Sequence, residues 1–264
     1  MGDCVKDLGE IWCYASVGLG SFSCIYLAIS IYMIVKHLEM FKTGWSSLMI
    51  VLYVQTLEAL VMALHYLLIG FEFDMLFVLQ EILLMVLVTV IFYFFTSEIG
   101  KIIERQSFSK KISIPLVIFN VVYTIIIIVA SIVFLVKDEQ FFTCNIWIWL
   151  FSSISGISMS LVLFSLGIYM NKEIMKMSIY SSSQVSKPRL KQLWFFNIVM
   201  VISFTIMLID SIIKDTEMTT CIDYSSNTVV SIFLFVIIRL ATHYTAMTFV
   251  IYIFWPSKVK VKCI

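Results

Sequence analysis

Seven long apolar runs, separated by short polar segments, dominate the pattern of hydrophobic and polar positions. The third run opens the stretch MLFVLQEILLMVLVTVIFYFFTSEIGKIIERQSFSKK, residues 75–111, which stays almost wholly apolar until Ser97-Glu98. A run of about 20 apolar residues suffices for one helix to cross a bilayer. Basic residues follow the run at once, and such residues mark the cytosolic end of a span. This stretch therefore predicts both a span and its direction.

Counting outward from this stretch gives an all-α, polytopic membrane protein with seven transmembrane helices. The seven runs each contain 21 to 27 residues, which fits a bilayer with modest helix tilt. We predict one seven-helix transmembrane domain over residues 1–264, since no internal repeat divides the chain. The predicted spans cover residues 11–35, 45–70, 75–97, 114–136, 146–170, 193–213 and 228–254.

The composition agrees with this prediction. Hydrophobic residues make up 61% of the chain and charged residues only 13%, and average soluble chains carry roughly 25% charged residues. The mean hydropathy is +1.02. The chain has no domain-sized basic face, which argues against nucleic acid as a partner and leaves the lipid bilayer as the expected surroundings.

Charge in the loops predicts the orientation. The first ten residues and segments 71–74, 137–145 and 214–227 hold three Lys and Arg together. The other four segments hold fourteen, and they are 36–44, 98–113, 171–192 and the tail after residue 254. The positive-inside rule then places the N-terminus outside or in a lumen and the C-terminus in the cytosol. Which membrane holds the protein, plasma membrane or an endolysosomal or vacuolar one, stays open.

This topology is that of receptors, so receptor motifs are informative. The rhodopsin-like set is missing, since Ser-Glu-Ile stands where Asp-Arg-Tyr would follow the third span. Scattered residues instead follow the order of another seven-helix family. They are Gly44-Trp45, Glu98-Ile99, Asn120, Tyr123, Leu166-Gly167, Leu190 and Ile202-Ser203-Phe204-Thr205.

In these features residues 12–256 resemble the tobamovirus multiplication proteins of plants and their seven-helix relatives. The resemblance implies a receptor-like topology and a role as a membrane anchor for cytosolic partners. The relatives in animals imply a location in lysosomal membranes and small GTPases as partners. A second resemblance, to nematode serpentine chemoreceptors, depends on Glu104-Arg105 after the third span and implies a heterotrimeric G protein as the partner.

Ionisable residues inside spans are the candidate functional residues, because each costs roughly 2.5–3.5 kcal/mol at mid-helix unless it finds a partner. Glu58 and Arg239 both fall near mid-depth, 13 and 11 residues into the second and seventh runs. His243 lies one turn further along the face of Arg239. If helices 2 and 7 adjoin, as in receptor folds, Glu58 and Arg239 can form a pair. Such a pair is either a ligand or ion site or a structural ion pair.

Other polar residues fall nearer the membrane surfaces. Glu81 and Asp210 are expected to be solvated at the outer interface. Glu98 is expected at the cytosolic end of helix 3, beside a basic partner. Ser155-Gly156 and the segment 165–167 predict close helix approach through small residues.

The six cysteines argue against a zinc site, because they form no CxxC pair and no His pairing at metal spacing. Cys144 and Cys221 fall in non-cytosolic loops, where a disulfide between them is permitted. Cys263 lies in a basic cytosolic tail and is a candidate for acylation. No cofactor is expected.

Three functions remain open at this point. The first is a receptor-like scaffold or signalling protein that recruits a partner through the basic loops 98–113 and 171–192. The second is a G-protein-coupled chemoreceptor, and the third is a transporter or channel that uses Glu58, Arg239 and His243. We expect no enzyme activity, because the chain contains no P-loop, no HExxH and no nucleophile–base–acid arrangement.

Overall fold

Every described segment of this protein is helical. The computed structural model describes residues 10–41, 46–68, 74–102, 106–137, 146–177, 183–217 and 228–255. Seven helices in this part of the chain are long and apolar enough to cross a membrane, one for each predicted run. The expectation of an all-helical, multi-pass membrane protein is therefore confirmed.

The helices are long and follow one another with short connections. Six are continuous, and the seventh span consists of three consecutive parts. The continuous helices are α1 (Glu10–Phe41), α2 (Ser47–Leu67), α3 (Asp74–Ile102), α4 (Gln106–Lys137), α5 (Ile146–Met177) and α6 (Ser183–Glu217). The seventh span comprises α7 (Thr228–Arg239), a π-helical segment (Leu240–Tyr244) and α8 (Thr245–Phe254).

The third span lies at the centre of the bundle. Of 18 consecutive residues within its span, Leu76–Ser97, 67% are buried, whereas the share is 28% in each of the first and fourth spans. Helix α3 contacts α2, α4, α5 and α6. The seventh span packs against α1, α2 and α6, so helices 2 and 7 adjoin as the receptor analogy predicts.

Helix α4 shows how a peripheral span faces its neighbours. Its buried residues recur every three or four positions and form one stripe, because 3.6 residues complete a helical turn. The stripe comprises Leu116, Asn120, Tyr123, Ile127 and Ser131. The Asn120 amide donates to the carbonyl of Met85 at 2.9 Å and to the Thr89 hydroxyl at 2.7 Å, which ties α4 to α3.

Close approach through small residues is confirmed between α5 and α6. A Cβ added at Gly156 would overlap the ring of Phe204, and one added at Gly167 would come within 3.3 Å of Trp194. The absence of a side chain at Gly156 therefore lets an aromatic ring of α6 lie directly on the α5 backbone.

The π-helical segment is a local widening of the seventh span. The backbone N–H of Thr245 bonds to the carbonyl of Leu240, five residues earlier, and the Thr245 hydroxyl donates to the same oxygen at 2.9 Å. The Tyr244 hydroxyl donates to the carbonyl of Leu19 at 2.6 Å, which fixes the segment against α1. Such π bulges frequently occur at functional sites.

Candidate functional site

A group of buried polar side chains lies where the seventh span meets the middle of the bundle. We call this group the central polar cluster, and each member is at most 5% exposed. The cluster draws on five of the seven spans. Its members are Glu58 of α2, Glu81 of α3, Tyr123 of α4, Ser152 of α5, Arg239 at the end of α7 and His243 of the π-helical segment.

Glu81 joins the two sides of the cluster. Its Oε2 accepts a hydrogen bond from the Ser152 hydroxyl at 2.9 Å, and the Ser152 oxygen accepts one from Tyr123 at 2.8 Å. Its Oε1 lies 4.0 Å from Nη1 of Arg239 and 3.3 Å from Nε2 of His243. A single carboxylate on the central helix therefore links α4 and α5 to the seventh span.

The π-helical segment brings His243 between the two carboxylates. Nδ1 of His243 lies 3.6 Å from Oε1 of Glu58, while Nε2 faces Glu81. Nε2 also lies 3.3 Å from Nη1 of Arg239. The imidazole thus contacts every charged member of the cluster.

These distances leave Nε2 of His243 with two incompatible roles. A guanidinium only donates, so Nε2 must be unprotonated to accept from Arg239. A carboxylate only accepts, so Nε2 must carry a proton to donate to Glu81. The side chain cannot do both at once. Whether Nε2 carries a proton, which depends on the tautomer as well as on the charge of the ring, therefore decides which neighbour it bonds.

Arg239 is held in place by apolar rings as well as by charge. Its guanidinium carbon lies 5.0 Å from the ring centre of Phe77 and 5.3 Å from that of Phe235. Aromatic faces attract a cation at such distances. A buried guanidinium is costly in a bilayer, and these rings together with Glu81 lower that cost.

Several atoms of the cluster have hydrogen-bonding capacity left over. Both carboxylate oxygens of Glu58, Oε1 of Glu81 and Nδ1 of His243 are buried and make no hydrogen bond among the described residues. Burying such atoms without a partner is unfavourable. The cluster therefore has room in its bonding pattern for a proton, or for a donor group of a ligand at Glu58. The described residues contain no group of three or more His, Cys, Asp and Glu that could hold a metal ion.

The structure gathers the three candidate residues of the spans, Glu58, Arg239 and His243, into one site. Their pairing differs from the simplest expectation, because Arg239 faces Glu81 and Glu58 faces His243. The contact between Glu58 and Arg239 is thus relayed through the imidazole.

The expectation that Glu81 and Asp210 are solvated at the outer interface is wrong. Glu81 is 0% exposed and Asp210 is 2% exposed. Glu81 follows the start of α3 by only seven residues, roughly 10 Å along the axis. It is nevertheless buried, because α3 is the central helix and its neighbours cover it on all sides.

Other predicted residues fall outside the described part. These are the side chain of Glu98, whose backbone belongs to α3, and the whole of Cys144, Cys221 and Cys263. Cys13, at the start of α1, is disulfide-bonded, and Cys24 is free. The Cys144–Cys221 bridge stays a prediction, and peptide mapping under non-reducing conditions must include Cys13 as a further half-cystine.

Sequence reasoning missed Ser152, and it noticed Tyr123 only through a resemblance. For Tyr123 a usable signal existed, because Asn120 and Tyr123 are polar residues three apart in an otherwise lipid-suited run and must share one face. That face has to point into the protein rather than into lipid. Ser152 gives no such signal, since serine is common on every face of the fifth run.

Comparison of the chain with models of known protein families, with curated proteins and with solved structures finds no match. The assignment therefore depends on the fold and the site alone. They define a seven-helix, multi-pass membrane protein with a buried charged cluster in the interior of its helix bundle, an arrangement compatible with a receptor or a transporter.

Proposed function

We propose that this chain is a receptor-like membrane protein in which the central polar cluster controls helix arrangement and the basic loops recruit a cytosolic partner. The observation that supports this most is the position of His243 between Glu58, Glu81 and Arg239, at distances of 3.3 to 3.6 Å. Helices 2, 3 and 7 meet at this one side chain. A change in its bonding acts on all three.

The summed charge of the cluster supports a site that changes between two states rather than a static structural ion pair. With both glutamates ionised and His243 neutral, the four ionisable members of the cluster sum to −1. A proton on His243, or a cationic group of a ligand beside Glu58, brings the sum to zero. Because a charge is costly in a low-dielectric interior, the two states favour different packing of the charged groups. The π-helical segment, which carries His243, is the part of the seventh span best suited to adjust.

Loop composition supports recruitment of an acidic partner. The segments 98–113 and 171–192 hold nine Lys and Arg between them. Basic segments next to a membrane attract anionic lipid and acidic protein surfaces. Under the orientation that the positive-inside rule favours, both segments face the cytosol. The resemblance to the tobamovirus multiplication family adds a small GTPase as the partner, and the chemoreceptor alternative adds a heterotrimeric G protein.

A transporter is the second candidate, favoured by the unbonded carboxylate oxygens of Glu58 in a buried position. Ionisable groups inside a membrane commonly mark the path of a proton or an ion. In this case purified protein in liposomes carries out proton- or cation-dependent flux, and Glu58→Gln abolishes the flux. A receptor shows no such flux.

Proximity labelling in cells tests the proposal. The tagged full chain is compared with a variant in which Lys101, Arg105, Lys110 and Lys111 are changed to Gln. The matched control changes the tail residues Lys258, Lys260 and Lys262 to Gln. We expect a small GTPase near the wild type and the control, and its loss from the loop variant.

The other outcomes are equally informative. Enrichment of a heterotrimeric G protein instead supports the chemoreceptor. Equal capture by the wild type and the loop variant contradicts recruitment through residues 98–113.

A further inference from the structure

A groove of about 580 Å³ runs along the membrane-facing side of the bundle, between α6 and α8. It lies apart from the central polar cluster. Its α6 wall carries Lys191, Phe195 and Val199, which are four residues apart and so lie on one helix face. Its α8 wall begins at Thr245, directly after the π-helical segment, and ends near Tyr252.

The middle of the groove is apolar. Phe195 is 54% exposed and lies along one side of the groove. Its ring centre lies 5.6 Å from that of Phe249, whose buried ring forms the bottom of the groove. Val199 and Ile253 complete the apolar lining. This surface suits a hydrocarbon chain.

The threonines of the groove do not change that character, because their hydroxyls are already bonded within the protein. Thr245 donates to the carbonyl of Leu240 at 2.9 Å. Thr248 donates to the carbonyl of Tyr244 at 2.7 Å, and its oxygen is hydrogen-bonded to the Tyr26 hydroxyl. A sugar or another polyhydroxyl ligand therefore finds little to bind here.

Charge is confined to one end of the groove. Lys191 is exposed and is the first residue of the sixth membrane span, so its ammonium group lies at the level of the lipid headgroups. From Lys191 to Val199 the groove extends over eight residues, roughly 12 Å. This length is close to the half-thickness of a hydrocarbon core of about 30 Å. The groove therefore matches a lipid of one leaflet in both length and polarity.

We propose that this groove binds an anionic phospholipid, with one acyl chain along Phe195, Val199 and Phe249 and the headgroup phosphate at Lys191. Basic pockets between membrane helices are a known means of selecting anionic lipids. Under the predicted orientation the site faces the cytosolic leaflet, where anionic lipids concentrate.

Native mass spectrometry of the full chain tests the proposal. The purified protein is titrated with phosphatidylserine and with phosphatidylcholine of identical acyl chains. Wild type should bind phosphatidylserine about fivefold more tightly, which corresponds to one lysine near the membrane surface. Lys191→Gln should remove that preference. Val199→Trp should weaken the binding of both lipids, because the larger side chain fills the groove.

Lys172→Gln is the matched control, because Lys172 is an exposed lysine of α5 outside the groove. It should keep the preference for phosphatidylserine. If Lys172→Gln and Lys191→Gln reduce the preference for phosphatidylserine equally, the lipid is attracted by the surface charge in general, and the proposed site is contradicted. Unchanged binding in Val199→Trp, with thermal stability like that of wild type, would overturn it as well. A dimer that Val199→Trp dissociates would assign the groove to a second copy of the chain instead.

Discussion

Two regions of the bundle interior are stabilised by different interactions. In one region the central polar cluster joins five helices through charges and hydrogen bonds. Toward the end of α8, an aromatic layer replaces it. The layer consists of Phe94, Phe95, Phe196, Phe249 and Phe254, all 6% exposed or less. The rings of Phe94 and Phe254 meet edge to face with centroids 4.8 Å apart, and the rings of Phe196 and Phe249 lie at the same centroid distance with their planes tilted by 37°.

We infer from this difference that the aromatic layer resists rearrangement and that the cluster permits it. Interlocking rings have one well-packed arrangement, and any displacement opens a void. The cluster instead offers His243 two bonding partners, so a proton or a ligand can shift it between states. We infer that the aromatic layer fixes the bundle and the cluster controls it.

The largest expected effect is the loss of one charge from the cluster. Arg239→Met leaves the Glu81 carboxylate buried without a cation, which should cost roughly 3–5 kcal/mol of stability. The double variant Glu81→Leu/Arg239→Met should recover much of this loss, because both members of the pair are replaced and neither is left buried without its partner. Thermal unfolding in detergent measures both. Additive effects of the two substitutions would show that the residues do not interact.

A smaller loss is expected from overfilling an apolar contact between α5 and α6. Gly156→Ala drives a methyl group into the ring of Phe204, and such overpacking typically costs about 1–3 kcal/mol. Gly18→Ala is the control, because a Cβ added there meets nothing within 4 Å. The control should equal or slightly exceed wild type in melting temperature, since alanine favours helix over glycine. Equal melting temperatures for the two variants would contradict the close contact.

The smallest expected effect concerns a single hydrogen bond at the edge of the cluster. Tyr123→Phe removes the donor to Ser152 but keeps the ring that stacks on Phe151 at 5.5 Å. We expect a loss of about 0.5–1.5 kcal/mol. Tyr14→Phe, at a tyrosine that is 66% exposed, should change stability by less than about 0.5 kcal/mol. If the Tyr123→Phe protein is as stable as this control, the hydrogen bond from α4 to Ser152 does not contribute to the stability of the cluster.

Much of the fold could be predicted from sequence because lipid imposes simple rules. Apolar runs of bilayer length define the spans, and all seven were found. The cost of a charge in a membrane likewise singled out Glu58, Arg239 and His243.

What sequence could not supply was the lateral position of each helix. Depth along a helix follows from counting residues, but burial depends on how many neighbours surround that helix. The prediction for Glu81 was wrong for this reason. Its depth suggested contact with solvent, but α3 is the central helix and its neighbours exclude solvent from this side chain. The π-helical segment was not predicted either. Bonds between residues five apart, such as that from the Thr245 N–H to the Leu240 carbonyl, distinguish it from an α-helix.

We infer that the polar cluster controls function and does not only hold helices together. Partner capture by the Glu81→Leu/Arg239→Met variant tests this most directly, with thermal unfolding measured on the same preparation. We expect a protein that keeps a stability within about 1 kcal/mol of wild type, because a buried pair is replaced by apolar residues, and that no longer captures its cytosolic partner. A variant that is equally stable and captures the partner like wild type would show that the cluster is a structural ion pair without a role in function.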